Sequence, residues 1–314
     1  MKRKFIFISV LLFCFSTVCS GACIDEIKTF YASYMTNILN VDSTNEALCR
    51  KYLTEELAAK LQRMRNATGG DPIIRAQDMN SDAIKTLNVR EIADDWYMVS
   101  YLWNEKDSAS LVEIPLKVGC VNEKCKIVYI TPIENGSQYG NEWLTGFENT
   151  ASYKIDSSSG ESLVESFYKL YVATYCSMCS DLNSKLQSLR LSHLSHTALE
   201  QFKKVELENL QDGFGGYDLL IMNFDFDSMW FHSLKVVPLE PDNYQVTYQA
   251  GKYTHQINIQ TAYRDGRYWI NAITGVRKVF IPLFLLAQFC SYATERLRCN
   301  KQIRSDVLQR YVLQ

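Results

Sequence analysis

The sequence predicts an α+β fold in two tandem copies, each with helices packed on a curved antiparallel sheet. Three observations carry that expectation: an ordered internal repeat, a change of apolar period inside each copy, and turn residues where the strands should end.

The repeat runs through five blocks. Ile27-Lys28-Thr29-Phe30-Tyr31 matches Val164-Glu165-Ser166-Phe167-Tyr168 at a spacing of 137, and Leu53-Thr54 matches Leu194-Ser195 at 141. Asp71 and Asp78 match Asp218 and Asp225 at 147, as do Tyr97, Val99, Ser100 and Tyr101 with Tyr244, Val246, Thr247 and Tyr248. Ile114, Leu116, Ile127, Ile130 and Thr131 match Ile257, Ile259, Ile270, Ile273 and Thr274 at 143. The spacing drifts only where loops absorb it, and order and residue class are kept throughout.

Within each copy the period passes from helix to strand. Residues 25–40 and 161–176, then 52–64 and 196–210, carry apolar positions at steps of three and four. Thr54 and Ser195 are placed to cap the second helical stretch of each copy. Tyr97/Val99/Tyr101 and Tyr244/Val246/Tyr248 then alternate, as do Ile114/Leu116/Val118 and Ile257/Ile259/Thr261, before closing strands near 127–130 and 269–273. Val121-Asn122-Glu123-Lys124 and Asp265-Gly266 read as the hairpin turns before those last strands. Helices first and a strand meander after them describe an α+β domain.

The expected divisions are a signal peptide over 1–22, a first repeat over 23–133, a linker over 134–160, a second repeat over 161–276 and a helical tail over 277–314. In the tail, Leu283, Leu286, Cys290, Ala293 and Leu297 open a stripe that predicts a helix of 283–311. Its first half is expected to pack on the second domain and its basic second half to project. The Phe-Tyr opening, the segment Asp71-Pro72-Ile73-Ile74-Arg75-Ala76-Gln77-Asp78 and the final strands resemble family 3828 of domains of unknown function. That family lies in the nuclear transport factor 2-like superfamily and occurs in exported proteins of Bacteroides-type bacteria. The resemblance spans about 27–133 and, more weakly, 164–276. It implies a cone-shaped barrel with a pocket between sheet and helices, and no established activity.

Lys2, Arg3 and Lys4 precede an apolar run from Phe5 to Val18 and the small residues Ser20, Gly21 and Ala22, which is the pattern of an export signal. The run is too short for a membrane span, so the mature chain is expected to begin at Cys23, in the periplasm or as an outer-membrane-anchored lipoprotein. Ser20-Gly21-Ala22-Cys23 also resembles a loose lipobox, making Cys23 a candidate for lipidation and the sole expected membrane attachment. The formal charge is −2, and loss of the three signal cations makes it −5. Seven Lys or Arg against two acidic residues from Arg277 onward leave the body acidic, which argues against a nucleic-acid platform.

Of ten cysteines, Cys14 and Cys19 leave with the signal. Cys120 and Cys125 flank a turn between alternating strands and are expected to form a disulfide without a catalytic role. Cys176-Ser-Met-Cys179 ends a helix rather than starting one, so it lacks the dipole that would favour a thiolate. His193 and His196, three apart among serines, suit exposed caps better than metal ligands. The Asp pairs suit turn capping, with a pocket-facing role for Asp78 or Asp225 as the sharper reading. Trp103 and Trp230 fall near strand ends, where a pocket mouth would lie. Those four residues are the ligand-contact candidates. No catalytic residue, metal or cofactor motif is read.

These readings describe an exported, non-enzymatic binding or interaction protein of the bacterial envelope, in the manner of an inhibitor or immunity factor against a secreted protein. The rival is a small-ligand binder or enzyme using the cone pocket. A functional pocket gathers polar groups around an apolar cavity, whereas an interaction module fills that space with side chains.

Overall fold

The computed structural model describes residues 18–41, 45–68, 70–122, 124–133, 137–141, 144, 150–211 and 215–274. The chain divides into two compact units, Met1–Thr274 and Gly275–Gln314. The expected signal peptide up to residue 17 and the tail helix lie outside the described residues, while residues 18–22 form the start of the first helix.

The fold is mixed α+β with two four-stranded antiparallel sheets. In the first half, α1 (Val18–Leu39), α2 (Asn45–Tyr52), α3 (Glu55–Thr68) and the short α4 (Ser81–Lys85) precede β1 (Asn88–Ala93), β2 (Trp96–Leu102), β3 (Leu111–Val121) and β4 (Lys124–Ile130). In the second half, α5 (Gly160–Cys176), α6 (Leu182–His193) and α7 (His196–Gln211) precede β5 (Lys235–Glu240), β6 (Asn243–Ala250), β7 (Tyr253–Arg264) and β8 (Arg267–Thr274). Where the first half has α4, the second has a 3-10 turn over Ser228–Ser233.

The repeat seen in the sequence recurs as geometry. Leu53 bridges Ile127 in parallel and Leu194 bridges Ile270, each between two helices, so the amides of Thr54 and Ser195 donate to the same two carbonyls. Those hydroxyls accept from the amides of Leu57 and Ala198, the caps expected of them. Strand register slips at Lys117/Val118 and again at Gln260/Thr261, 143 residues later, and the slipped amides donate to Asp95 and Asp242. Left-handed backbone falls at Arg75 and Met222, at Asp95 and Asp242, and at Asn122 and Asp265. Asp and Asn tolerate that conformation at turns because their short side chains bond locally. Gly266, with φ +81°, completes the two-residue turn of β7–β8, a conformation an L side chain resists.

Helices cover one face of each sheet. Ile27, Phe30, Tyr31, Tyr34 and Met35 form the buried stripe of α1 at helical spacing, and Val164, Phe167, Tyr168 and Tyr171 form that of α5. They meet Val99, Tyr101, Ile114 and Leu116 in the first core, and Val246, Tyr248, Ile257 and Ile259 in the second.

The opposite faces differ. On the first sheet Trp96, Met98, Pro115 and Tyr129 are also buried, although they point away from the helices. Trp96 donates from Nε1 to Asn141 and packs on Tyr139 at 5.9 Å, so part of the expected linker lies on this face. On the second sheet the matching positions are Asn243, Gln245, Asn258 and Ala272, and none of these is fully buried. The far end of the linker is also held: Tyr268 donates to the carbonyl of Ser157, and Ser159 caps α5.

Candidate functional site at the repeat junction and the cysteine staple

Of the two repeated carboxylate positions, one keeps its role in both copies and the other does not. Asp71 accepts from the Tyr34 hydroxyl at 2.6 Å, pairs with Arg65 and accepts the amide of Ile73. Asp218 accepts from Tyr171 and Tyr175, lies 3.5 Å from Arg190 and accepts the amide of Leu220. Each carboxylate thus ties a loop to a helix, the pinning role read from sequence. The cation reaches it by different routes, since Arg65 rises from α3 and Arg190 from α6. Cys49 stands at the position matching Arg190, and burial there pushes its thiol up to about 11.

Asp78 is exposed and accepts its neighbour's amide, from Met79 at 2.7 Å. Asp225, its counterpart, is fully buried against the first half of the chain. Its Oδ2 lies 2.5 Å from Nζ of Lys60, and its Oδ1 accepts from Nε of Arg63 at 2.9 Å. Lys60 also lies 3.2 Å from Asp227, which accepts the Tyr129 hydroxyl at 2.7 Å and caps the turn that follows it. The cluster spans 165 residues of sequence, and Lys60, Asp225 and Asp227 are at most 1% exposed. Asp225 is therefore a junction residue rather than a pocket-facing one.

Burial is the largest single influence on the Lys60 ammonium and works to discharge it. The carboxylates of Asp225 and Asp227 together outweigh that, so its pKa lies above the usual 10.5 and the lysine is charged. Burial, reinforced by Asp227, holds the Tyr129 hydroxyl well above the tyrosine range. The nearby Cys176 thiol is likewise pushed up, mainly by burial. A buried thiol at a helix end with a raised pKa is not a nucleophile.

The aromatic candidates separate in the same way. Trp103 is 39% exposed, beside the α4 cap. Trp230 is 3% exposed and packs on Phe226 and Tyr248, so it is core rather than a pocket mouth. His193 faces the carbonyl of Leu189 and packs on Phe167, whereas His196 is exposed.

The space between helices and sheet is occupied by polar aromatics. The hydroxyls of Tyr101 and Tyr248 donate to the carbonyls of Ile74 and Ile221, matched bonds on which the two Asp-bearing loops rest. Arg75 donates to the Thr131 hydroxyl at 2.6 Å, and burial lowers its pKa to about 10 against the opposing influence of Tyr31 and Tyr101. Among the described residues, a cavity of about 10 Å³ lies between Ile27, Tyr52, Val118 and Cys125, about the room of one water.

The disulfide differs from the one expected. Cys125 is bonded to Cys23, with Cα atoms 5.7 Å apart, while Cys120 is an exposed free thiol. Cys120 and Cys125 do face each other across β3 and β4, as the turn required. What sequence alone could not supply was α1, which starts over β4 and delivers a buried Cys23 to the same sulfur. A sulfur held in this disulfide would not also carry a thioether, so the bond and lipidation at Cys23 exclude each other.

No helix of the described residues is long and apolar enough to cross a membrane. No family model and no curated protein matches the chain. Among solved structures, it is similar to a crystal structure of a protein of unknown function from Bacteroides thetaiotaomicron VPI-5482. The two are 34% identical with a TM-score of 0.34, over 36% of this chain and 91% of that one.

Proposed function

We propose that the chain is an exported, non-enzymatic binding protein of the bacterial envelope, made of two tandem cone-shaped domains of the nuclear transport factor 2-like kind. Its partner is another protein. The observation that carries this reading is the filled interior: Tyr31, Tyr101 and Arg75 in one copy, and Tyr168, Tyr171 and Tyr248 in the other, stand where a ligand would. The hydroxyls of Tyr101 and Tyr248 donate to loop carbonyls, and that of Tyr171 donates to Asp218. A Cys23–Cys125 disulfide suits an oxidising compartment, and an acidic body suits a basic partner surface, as in an inhibitor or immunity pair.

Native mass spectrometry of the protein recovered from the envelope tests the choice. The expected spectrum has the bare mature mass, together with one defined protein adduct after photo-crosslinking from Leu239 or Gln256 on the exposed sheet. A stoichiometric small molecule retained on the protein would overturn the proposal.

A further inference from the structure

Cys125 has two cysteines within reach, and only one is bonded to it. Cys23 holds it from α1, while Cys120 is its direct cross-strand partner, and directly opposed residues point to the same face. The second copy indicates how close side chains come at that register. There the matching pair is Tyr263 and Tyr268, whose rings meet edge to face at 5.2 Å. Opposed strand residues fall inside the Cα range of a disulfide. Cys23 is matched by Gly160, so the staple belongs to the first copy alone. The small void lined by Cys125, Val118 and Ile127 lies beside the shared sulfur and gives it room to turn.

We propose that Cys120 is an exchange thiol for the Cys23–Cys125 disulfide. Its thiolate attacks Sγ of Cys125, the Cys120–Cys125 bond forms and the Cys23–Cys125 bond breaks. Cys23 leaves as a thiolate and takes up the proton that Cys120 lost, so no oxidant or reductant is consumed. The resting pairing remains Cys23–Cys125. The exchanged pairing unfastens the Cys23 end of α1 from β4 and presents a thiol at Cys23 without any net reduction. The device is independent of who the partner is.

The test uses the full-length exported protein, with free thiols blocked in acid and the disulfides mapped without reduction. At rest, the label should fall on Cys120 and the Cys23–Cys125 peptide should be present. After incubation with sub-stoichiometric glutathione at mildly alkaline pH, a Cys120–Cys125 peptide should appear and Cys23 should take up label. Cys120→Ser should retain the Cys23–Cys125 disulfide with Cys23 unlabelled. An unchanged wild-type map would overturn the proposal, and so would label on Cys23 in the Cys120→Ser variant, which would indicate plain reduction. Cys23→Ser gives a second reading: its oxidised form should pair Cys120 with Cys125, and finding both thiols alkylated would count against the mechanism.

Discussion

Replacing Lys60 with methionine removes the one charge that faces both Asp225 and Asp227, and it does so where water cannot substitute. Lys60 is 1% exposed and its two carboxylate partners are 0% exposed, at 2.5 and 3.2 Å. Breaking a buried pair from one side costs about 3–5 kcal/mol, since the stranded charge is left uncompensated. Arg63, 23% exposed and 2.9 Å from Asp225, keeps part of the balance and places the expectation near the lower end. In a unit of this size about 3 kcal/mol lowers Tm by roughly 6–12 °C. Lys60→Met with Asp225→Leu should recover only part of the loss, because one of the two stranded carboxylates is removed while the buried Asp227 still lacks its cation. Denaturant unfolding followed by fluorescence measures both, and the single variant should also split one transition into two as the copies uncouple. The wild-type lysine, with its pKa above 10.5, contributes in full below that pH and is lost only above it. A single variant costing less than about 1 kcal/mol would refute the reasoning, since that is the scale of an exposed pair.

Three further outcomes are expected. Tyr171→Phe removes a buried hydroxyl that donates to Asp218 and accepts from Arg190, and should cost about 1–3 kcal/mol in chemical denaturation. Tyr34→Phe, beside the part-exposed Asp71, should cost less, and the reverse order would count against the pinning role. Gly160→Ala places a Cβ 2.5 Å from Oγ1 of Thr261 and 2.6 Å from the Tyr244 hydroxyl, so thermal unfolding should register a loss of about 1–3 kcal/mol. Burial, against a weaker pull from the Met222 backbone, lowers the pKa of His255 below its usual 6.5, where it stacks on Tyr248. The unfolded chain therefore binds more protons below about pH 6.5, stability falls as pH drops through that window, and His255→Gln should flatten the fall.

Much of the fold was legible because both copies state the same pattern. The buried stripes of α1, α3, α5 and α7 follow three- and four-residue steps, and β2, β3, β6 and β7 alternate as they should. The edge strands β1 and β5 escaped notice. Val237 and Leu239 are exposed on β5 and Pro238 interrupts it, so no apolar alternation marks the strand. The helices α2 and α6 are short and largely polar, and their stripe is narrow.

The site was less legible, for a physical reason. Lys60 occupies a core phase of α3, between Leu57 and Met64, which is the one local sign that it is buried. Its partners lie 165 residues away in a segment where Asp225-Phe226-Asp227 replaces Asp78-Met79-Asn80. A carboxylate introduced into one copy only was the available signal, and comparing the copies for similarity passed over it. The cysteine pairing failed in the same way. A hairpin brings Cys120 opposite Cys125, but the choice between partners is made by where a distant helix begins.

The unequal outer faces of the two sheets give the duplication a direction. Trp96, Met98 and Tyr129 are closed over by Tyr139, Asn141 and the segment around Asp227, whereas Gln245, Asn258 and Ala272 face outward at the matching places. The first copy on its own would present a greasy, aromatic surface to water, and the second would not. The copies have therefore become complementary rather than interchangeable. The contact runs one way, because the second sheet lacks the aromatic face with which the first receives its neighbour.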